Sequence, residues 1–199
     1  VGLALADVIR LHALPIDLFR DLLSAFRQDV MQKRYAHFGE VMDYCRRSAN
    51  PIGRLLLQLL KVTDERDLAC SDAICSALQL TNFYQDLAQD YAENDRIYIP
   101  QEEMQRFGVD EAHFQERRTD FAMQRLMQHQ YDRAFKLLRA GAPLAKRLPG
   151  RFGFELRLTV LGGRRILEYL DKNRVDVFAR PRLTRMDWLK IVWQALHGR

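Results

Sequence analysis

Residues 67–91 read DLACSDAICSALQLTNFYQDLAQDY. Leu80, Phe83 and Leu87 recur there at three- and four-residue steps, the spacing of an apolar stripe on an α-helix. No Gly or Pro interrupts the run, so it predicts one long helix. Its small residues, Ala69, Ser71, Ala73 and Ser76, leave room for neighbouring helices to come close. A second stripe runs through the same segment. Gln79, Asn82, Asp86 and Asp90 fall at offsets 0, 3, 7 and 11, which a helix places on one face.

That polar stripe is unusual. Aspartates four apart on a helix repel by a few tenths of a kcal/mol, and neither has a Lys or Arg four residues away. Arg96, Tyr98 and Pro100 follow directly, which brings a cation near the end of the helix. Oxygen-only ligands suit Mg²⁺, an ion normally shared between one or two carboxylates and substrate phosphates. Two carboxylates beside an arginine therefore describe a diphosphate site. The competing reading is a solvated helix face. If repulsion is the only local effect, neutralising either aspartate leaves unliganded stability unchanged or slightly higher.

The rest of the chain is helical in pattern. LFRDLLSAFRQDVMQKR, IGRLLLQLLKV, RTDFAMQRLMQHQYDRAFKLLRAG, FELRLTVLGGRRILEYLDKN and MDWLKIVWQALHG all show three- and four-residue periodicity. The last turn of the third reads as a C-cap on Gly141, with Pro143 beyond. RIYIP at 96–100 is the longest strand-like run. Breaks are expected at Pro51, Asn94 to Pro100, Pro143 to Gly153 and Pro181. The sum is one all-α domain over 1–199, with about six or seven helices.

Composition agrees. Of 199 residues, 48% are hydrophobic and 29% charged, the balance of a globular core. The net charge of +5 favours an anionic ligand or surface. Basic residues are dispersed, so no nucleic-acid partner is expected. Cys45, Cys70 and Cys75 offer neither a disulfide framework nor zinc spacing, and fit a reducing cytoplasm. No run of about 18 apolar residues predicts a membrane span. VGLALADVIRLH reads as mid-helix and not as a signal peptide, so Val1 is expected to lie inside a longer protein.

One more segment stands out. In YCRRSANPIG (44–53), Asn50-Pro51 interrupts a helical pattern among small residues. A proline there kinks the helix. The kink either serves packing or opens a cavity onto which Tyr44 points.

YCRRSANPIG and QLTNFYQDLAQDYAENDRIYIP together resemble the two central motifs of the squalene/phytoene synthase family, the head-to-head prenyl diphosphate enzymes. The likeness extends through LRLTVLGGRRILEYL and VFARPRLTRMDWLKIVWQAL. YCRRSANP with NFYQD is most similar to the hydroxysqualene synthase branch of bacteria. The resemblance implies an isoprenoid-synthase-type bundle around a central cavity, here without its N-terminal helices. It implies catalytic roles for Tyr44, Asp86 and Asp90. Mg²⁺ is then held by Asp86, Asp90 and Asn82, and the diphosphate is bound by Gln79, Asn82, Arg96 and Tyr98. Asp29, Lys33 and Arg34 match polar active-site groups more weakly. The implied substrate is presqualene or farnesyl diphosphate, at a cytoplasmic site with peripheral contact on the inner face of a membrane.

Three departures stand against the family pattern. Gln85 replaces the arginine common before the first aspartate of this motif, and Val175 stands where many relatives have tyrosine. Asp17 and Asp21 (DLFRD) are the only Asp-x-x-x-Asp before Tyr44, and the family's first acidic motif is expected upstream of Val1. Phe26, Phe38, Met42, Phe83 and Tyr84 are candidate linings for a cation path, although each also fits ordinary core. Trp188 and Trp193 are candidates for membrane contact, although their spacing also suits helix packing. Other members of the family make presqualene diphosphate, phytoene or dehydrosqualene. A non-catalytic helical binding domain is the alternative outside that chemistry.

Overall fold

The computed structural model describes residues 2–197; Val1, and with it the reading of a mid-helix start, lies outside them. Every regular element among those residues is a helix. The order is α1 (Gly2–Leu11), α2 (Ile16–Met31), α3 (Phe38–Ser48), α4 (Asn50–Leu59), α5 (Glu65–Gln85) and α6 (Leu87–Asn94). Then come α7 (Gln101–Phe107), α8 (Glu111–Gln115), α9 (Phe121–Gly141), α10 (Leu144–Arg147), α11 (Gly150–Lys172) and α12 (Arg185–His197). The count is twelve where the periodicity predicted six or seven, because bends and short turns divide the longer runs. No described helix is long and apolar enough to cross a membrane.

Local chemistry explains the boundaries. Asp64 caps α5, its carboxylate accepting from Arg66 N at 2.8 Å and Asp67 N at 3.3 Å. Asp120 does the same for α9 through Met123 N at 2.9 Å. The Asn50-Pro51 break falls where expected: α3 ends at Ser48, Ala49 caps both helices, and Pro51 sits in the first turn of α4, where its missing N–H costs nothing.

The centre of the molecule is the α5–α9 pair, flanked by α3, α4 and α11. α5 buries Ile74, Ala77, Leu80, Phe83 and Tyr84. Met123, Leu126 and Met127 of α9 are fully buried, each contributing roughly 1.5–3 kcal/mol relative to exposure. The two helices converge at Gly141. A Cβ there would lie 2.5 Å from both Cys70 O and Ile74 Cγ1, so the glycine allows close approach. It is the last helical residue and not a cap; the cap is Ala142.

Residues 67–91 are not one helix. α5 stops at Gln85 and α6 starts at Leu87, with Asp86 between them at φ −106°, ψ 16°. The break is a bend, since Asp86 N still donates to Asn82 O (2.9 Å) and Asp90 N to Asp86 O (2.8 Å). RIYIP forms no strand. It runs extended beside residues 33–36, through Ile97 N to Lys33 O (3.0 Å) and Gln101 N to Tyr35 O (2.9 Å).

Candidate active site

Four elements meet around the acidic pair. Asp86 occupies the α5–α6 bend and Asp90 the first turn of α6. Burial pushes the Asp90 carboxyl up to about 6; the charge on Asp86 raises it further, while Arg96 and Arg180 oppose the rise. Asp86 meets a cation that its own helix does not supply. Arg180 Nε lies 2.5 Å from Oδ1, and its Nη2 donates to Oδ2 at 3.2 Å. Oδ1 is otherwise buried and receives no aligned hydrogen bond. Beside it, the Gln85 side chain donates to Pro181 O. Both residues at the bend are thus held by the 180–181 segment. Arg180 thus brings a guanidinium to the corner beside Gln85.

The second group lies just beyond. Arg96 N donates to Asp90 O at 3.1 Å. The Arg96 guanidinium donates to Tyr98 OH at 3.1 Å and to the Asp29 carbonyl, with Asp29 Oδ1 3.9 Å away. Tyr44 OH donates to that same Asp29 carboxylate at 2.8 Å. Around these hydrogen bonds the rings form a buried cluster. Phe83 and Tyr98 stack with centroids 3.6 Å apart, and Tyr44 lies 5.9 Å from Phe83 and 5.8 Å from Tyr98. Tyr35 stacks on Tyr98 at 5.5 Å. Burial raises the pKa of the Tyr44 and Tyr98 phenols, so both stay neutral at physiological pH.

The other candidates divide. Asp29 joins the cluster directly. Arg34 does not; it pairs with Asp95 (2.8 Å) and Glu111 (2.7 Å) and so clamps the turn before Arg96. Lys33 contributes its carbonyl to Ile97. Gln79 is half-buried and Asn82 exposed on α5, so the stripe opens to solvent on that side. Phe26 is exposed on α2, and Val175 is exposed as well. Phe38 lies under the Arg133 guanidinium, 3.6 Å from its carbon, and Met42 is half-buried against the core. Tyr84 turns away to Gln130 at 3.2 Å. Two contributors were missed in the sequence. Tyr35 carried no pattern, and Arg180 lies 94 positions from Asp86, signalled only by the cluster Arg180, Arg182 and Arg185.

Farther along α5 an apolar groove of about 300 Å³ runs between α4, α5 and α11, with Gly53, Leu56, Ser71, Cys75 and Leu78 in its wall. It shares a helix with the acidic pair. The stripe is therefore continued by this groove on α5, and not enclosed with Tyr44 in one described cavity.

Among the described residues no three His, Cys, Asp or Glu side chains gather around a point. The pair nevertheless fits a hard divalent cation. It offers two carboxylates, one held by Arg180 alone and one whose charge is disfavoured without a counter-ion. That is the small protein share that Mg²⁺ takes when phosphate supplies the remainder.

Comparison with known proteins gives the family and the fold. The squalene/phytoene synthase family model matches residues 1–188. Hydroxysqualene synthase of Rhodopseudomonas palustris is 34% identical over 75% of the chain, and that of Zymomonas mobilis 47% identical over 45%. These alignments span 51% and 30% of the respective relatives. The crystal structure of squalene synthase HpnC from Alicyclobacillus acidocaldarius superposes with a TM-score of 0.82 at 34% identity. That match covers 87% of this chain and 65% of the other.

Proposed function

The chain belongs to the squalene/phytoene synthase family, and from that premise we propose that it serves loss of diphosphate from presqualene diphosphate, with water capturing the rearranged carbocation to give hydroxysqualene. The observation that carries this reading is the junction of an acidic pair, two guanidinium groups and a stacked aromatic cluster. An anion-holding corner beside π faces is what an ionising cyclopropylcarbinyl diphosphate needs. The choice of branch follows the relatives named hydroxysqualene synthase.

In this reading Asp86, Asp90 and Asn82 hold Mg²⁺. When bound, the ion neutralises charge growing on the leaving diphosphate. Arg96, fixed by the Asp29 carbonyl and the Tyr98 hydroxyl, holds the diphosphate oxygens, and Gln79 donates from the neighbouring turn of α5. Arg180 neutralises Asp86 before substrate arrives and offers its guanidinium to the incoming anion. The faces of Tyr44, Phe83 and Tyr98 stabilise the cation left behind. Tyr44 must remain a phenol, because a phenolate would trap that cation; burial keeps it protonated. The prenyl chain follows α5 toward Cys75, roughly 16 Å from Asp86 at about 1.5 Å per residue.

The test is charge removal without shape change. Asp86→Asn and Asp90→Asn each lower presqualene diphosphate turnover at least about a hundredfold, the scale of one preorganised electrostatic contact. Mg²⁺ with inorganic diphosphate raises the melting temperature of the wild type and does far less for either variant. Unimpaired turnover, or equal ligand-induced shifts, would reduce the stripe to a solvated helix face. Release of dehydrosqualene in place of hydroxysqualene would move the product within the family.

A further inference from the structure

The extended segment 33–36 and the connection 96–101 lie side by side, joined by Ile97 N to Lys33 O and Gln101 N to Tyr35 O. That pairing stacks Tyr35 on Tyr98 at 5.5 Å and 25°, and Tyr98 stacks in turn on Phe83 at 3.6 Å and 7°. Tyr44 meets the Tyr35 ring edge-on at 6.0 Å. Two of the three hydroxyls in this cluster are satisfied. Tyr44 OH donates to Asp29 at 2.8 Å, and Tyr98 OH accepts from Arg96 at 3.1 Å. The Tyr35 ring is wholly buried, at 0% exposure, yet its hydroxyl has no aligned partner among the described residues. The Gln28 amide lies close to it, but its oxygen is held by Arg47.

A second orphan stands nearby. Arg96 Nε is buried and donates to nothing among the described residues, although both other nitrogens of that guanidinium are used. Burial raises the pKa of the Tyr35 phenol; Tyr98 and Asp29 add to the rise, and the charge on Arg96 opposes it. Asp29 and Arg96 are therefore neighbours of this hydroxyl. Folded proteins leave few buried polar atoms unpaired, and a polar pocket with several such partners is where a buried water is held. A guanidinium only donates, whereas a phenol also accepts. One water can take a hydrogen from Arg96 Nε and give its own two to the Tyr35 oxygen and the Asp29 carboxylate. That arrangement leaves one lone pair of the water unspent.

We propose that Tyr35 and Arg96 position the water that captures the rearranged carbocation, and that Asp29 takes the proton it releases. The inference rests on the reaction proposed above. The unspent lone pair forms the new C–O bond. One O–H bond of the resulting oxonium then breaks, its electrons stay on oxygen, and its proton passes to the Asp29 carboxylate, leaving the neutral alcohol. No oxidant or reductant takes part. Tyr35 acts through the water and so is a positioning residue. The site borders Tyr44 and Tyr98, whose faces stabilise the cation. Without a held water, the same cation discharges by losing a proton from a neighbouring carbon and gives an alkene, dehydrosqualene.

Tyr35→Phe tests this, because it keeps the ring and the stack and removes only the oxygen. The full chain is given presqualene diphosphate and Mg²⁺, with diphosphate release and each product measured separately. The ratio of hydroxysqualene to dehydrosqualene falls at least about tenfold, the scale of losing one hydrogen bond in a charged network, and by more than diphosphate release falls. A ratio that does not change overturns the proposal and leaves Tyr35 a packing role alone. A wild type that makes no hydroxysqualene overturns the reaction itself, and the water's role with it, so the two failures are distinct. A crystal structure of the wild type decides without the variant. One ordered water bonded to both the Tyr35 hydroxyl and Arg96 Nε is expected; the two groups without a shared water overturn the proposal.

Discussion

Asp90 and Asp86 share a face and differ in their physics. Asp90 has a carboxyl raised to about 6, above the unfolded value of about 3.9. A carboxyl raised on folding subtracts stability once ionised: the loss is complete above pH 6 and absent below about pH 4. Without divalent cation, Asp90→Asn therefore raises the melting temperature at pH 7–8, and the gain fades as pH falls toward 4. Thermal melts in chelator across that range check it; a gain independent of pH would place its origin elsewhere. Asp86→Asn behaves differently, because it also loses the pair with Arg180. That pair is partly exposed and worth about 0.2–1 kcal/mol, enough to cancel the relief of repulsion. The sequence, which shows Asp86 without its distant partner, predicted relief alone for both.

At the scale of elements, helix–helix distance is set by what the residues lack. Gly141 brings α9 onto the backbone of α5 at Cys70 and Ile74. Gly141→Ala forces that contact apart, at a cost of about 1–3 kcal/mol. Gly162, inside α11, has its nearest obstacle, Leu183 Cδ1, 3.7 Å away. Gly162→Ala there stabilises by about 0.5–1 kcal/mol through helix propensity. Paired urea melts distinguish the two signs. The helices themselves were legible, since their three- and four-residue periodicity and the Asn50-Pro51 break are local signals. The bend at Asp86 was not: Gln85-Asp86-Leu87 contains no breaker, and its anchors, Pro181 and Arg180, lie far along the chain. RIYIP falls in the break expected from Asn94 to Pro100. Its β-branched pattern serves an extended connection pinned to residues 33–36, which only the fold brings alongside.

Taken whole, the chain exposes apolar surface on α12, where Trp193 is 63% exposed, and elsewhere as well. Leu23, Phe26 and Val30 form a stripe on α2 at three- and four-residue steps, exposed at 61%, 59% and 71%. Patches of this kind bind partners or aggregate. The chain taken alone therefore binds a hydrophobic dye under native conditions and self-associates in sedimentation velocity. Phe26→Ser with Val30→Ser lowers both effects without lowering the melting temperature, since neither side chain is buried in the fold. A dye-free monomer would show that the stripe is inert. Of the candidate site, the sequence exposed the acidic stripe and Arg96-x-Tyr98, which are contiguous. It exposed Asp29 only weakly and Arg180 not at all, because their partners are set by tertiary contact.

The reach of those contacts has a consequence for the order of assembly. Tyr44 meets Asp29 across 15 positions, Arg96 meets Asp29 across 67, and Arg180 meets Asp86 across 94. Loop closure becomes more costly as the intervening chain lengthens, so the aromatic half of the site can form while the last stretch is still unplaced. During synthesis, the two aspartates leave the ribosome long before their arginine does. Until residue 180 emerges and docks, the nascent site holds a negative corner with one guanidinium fewer, and ambient cations are its natural temporary partner.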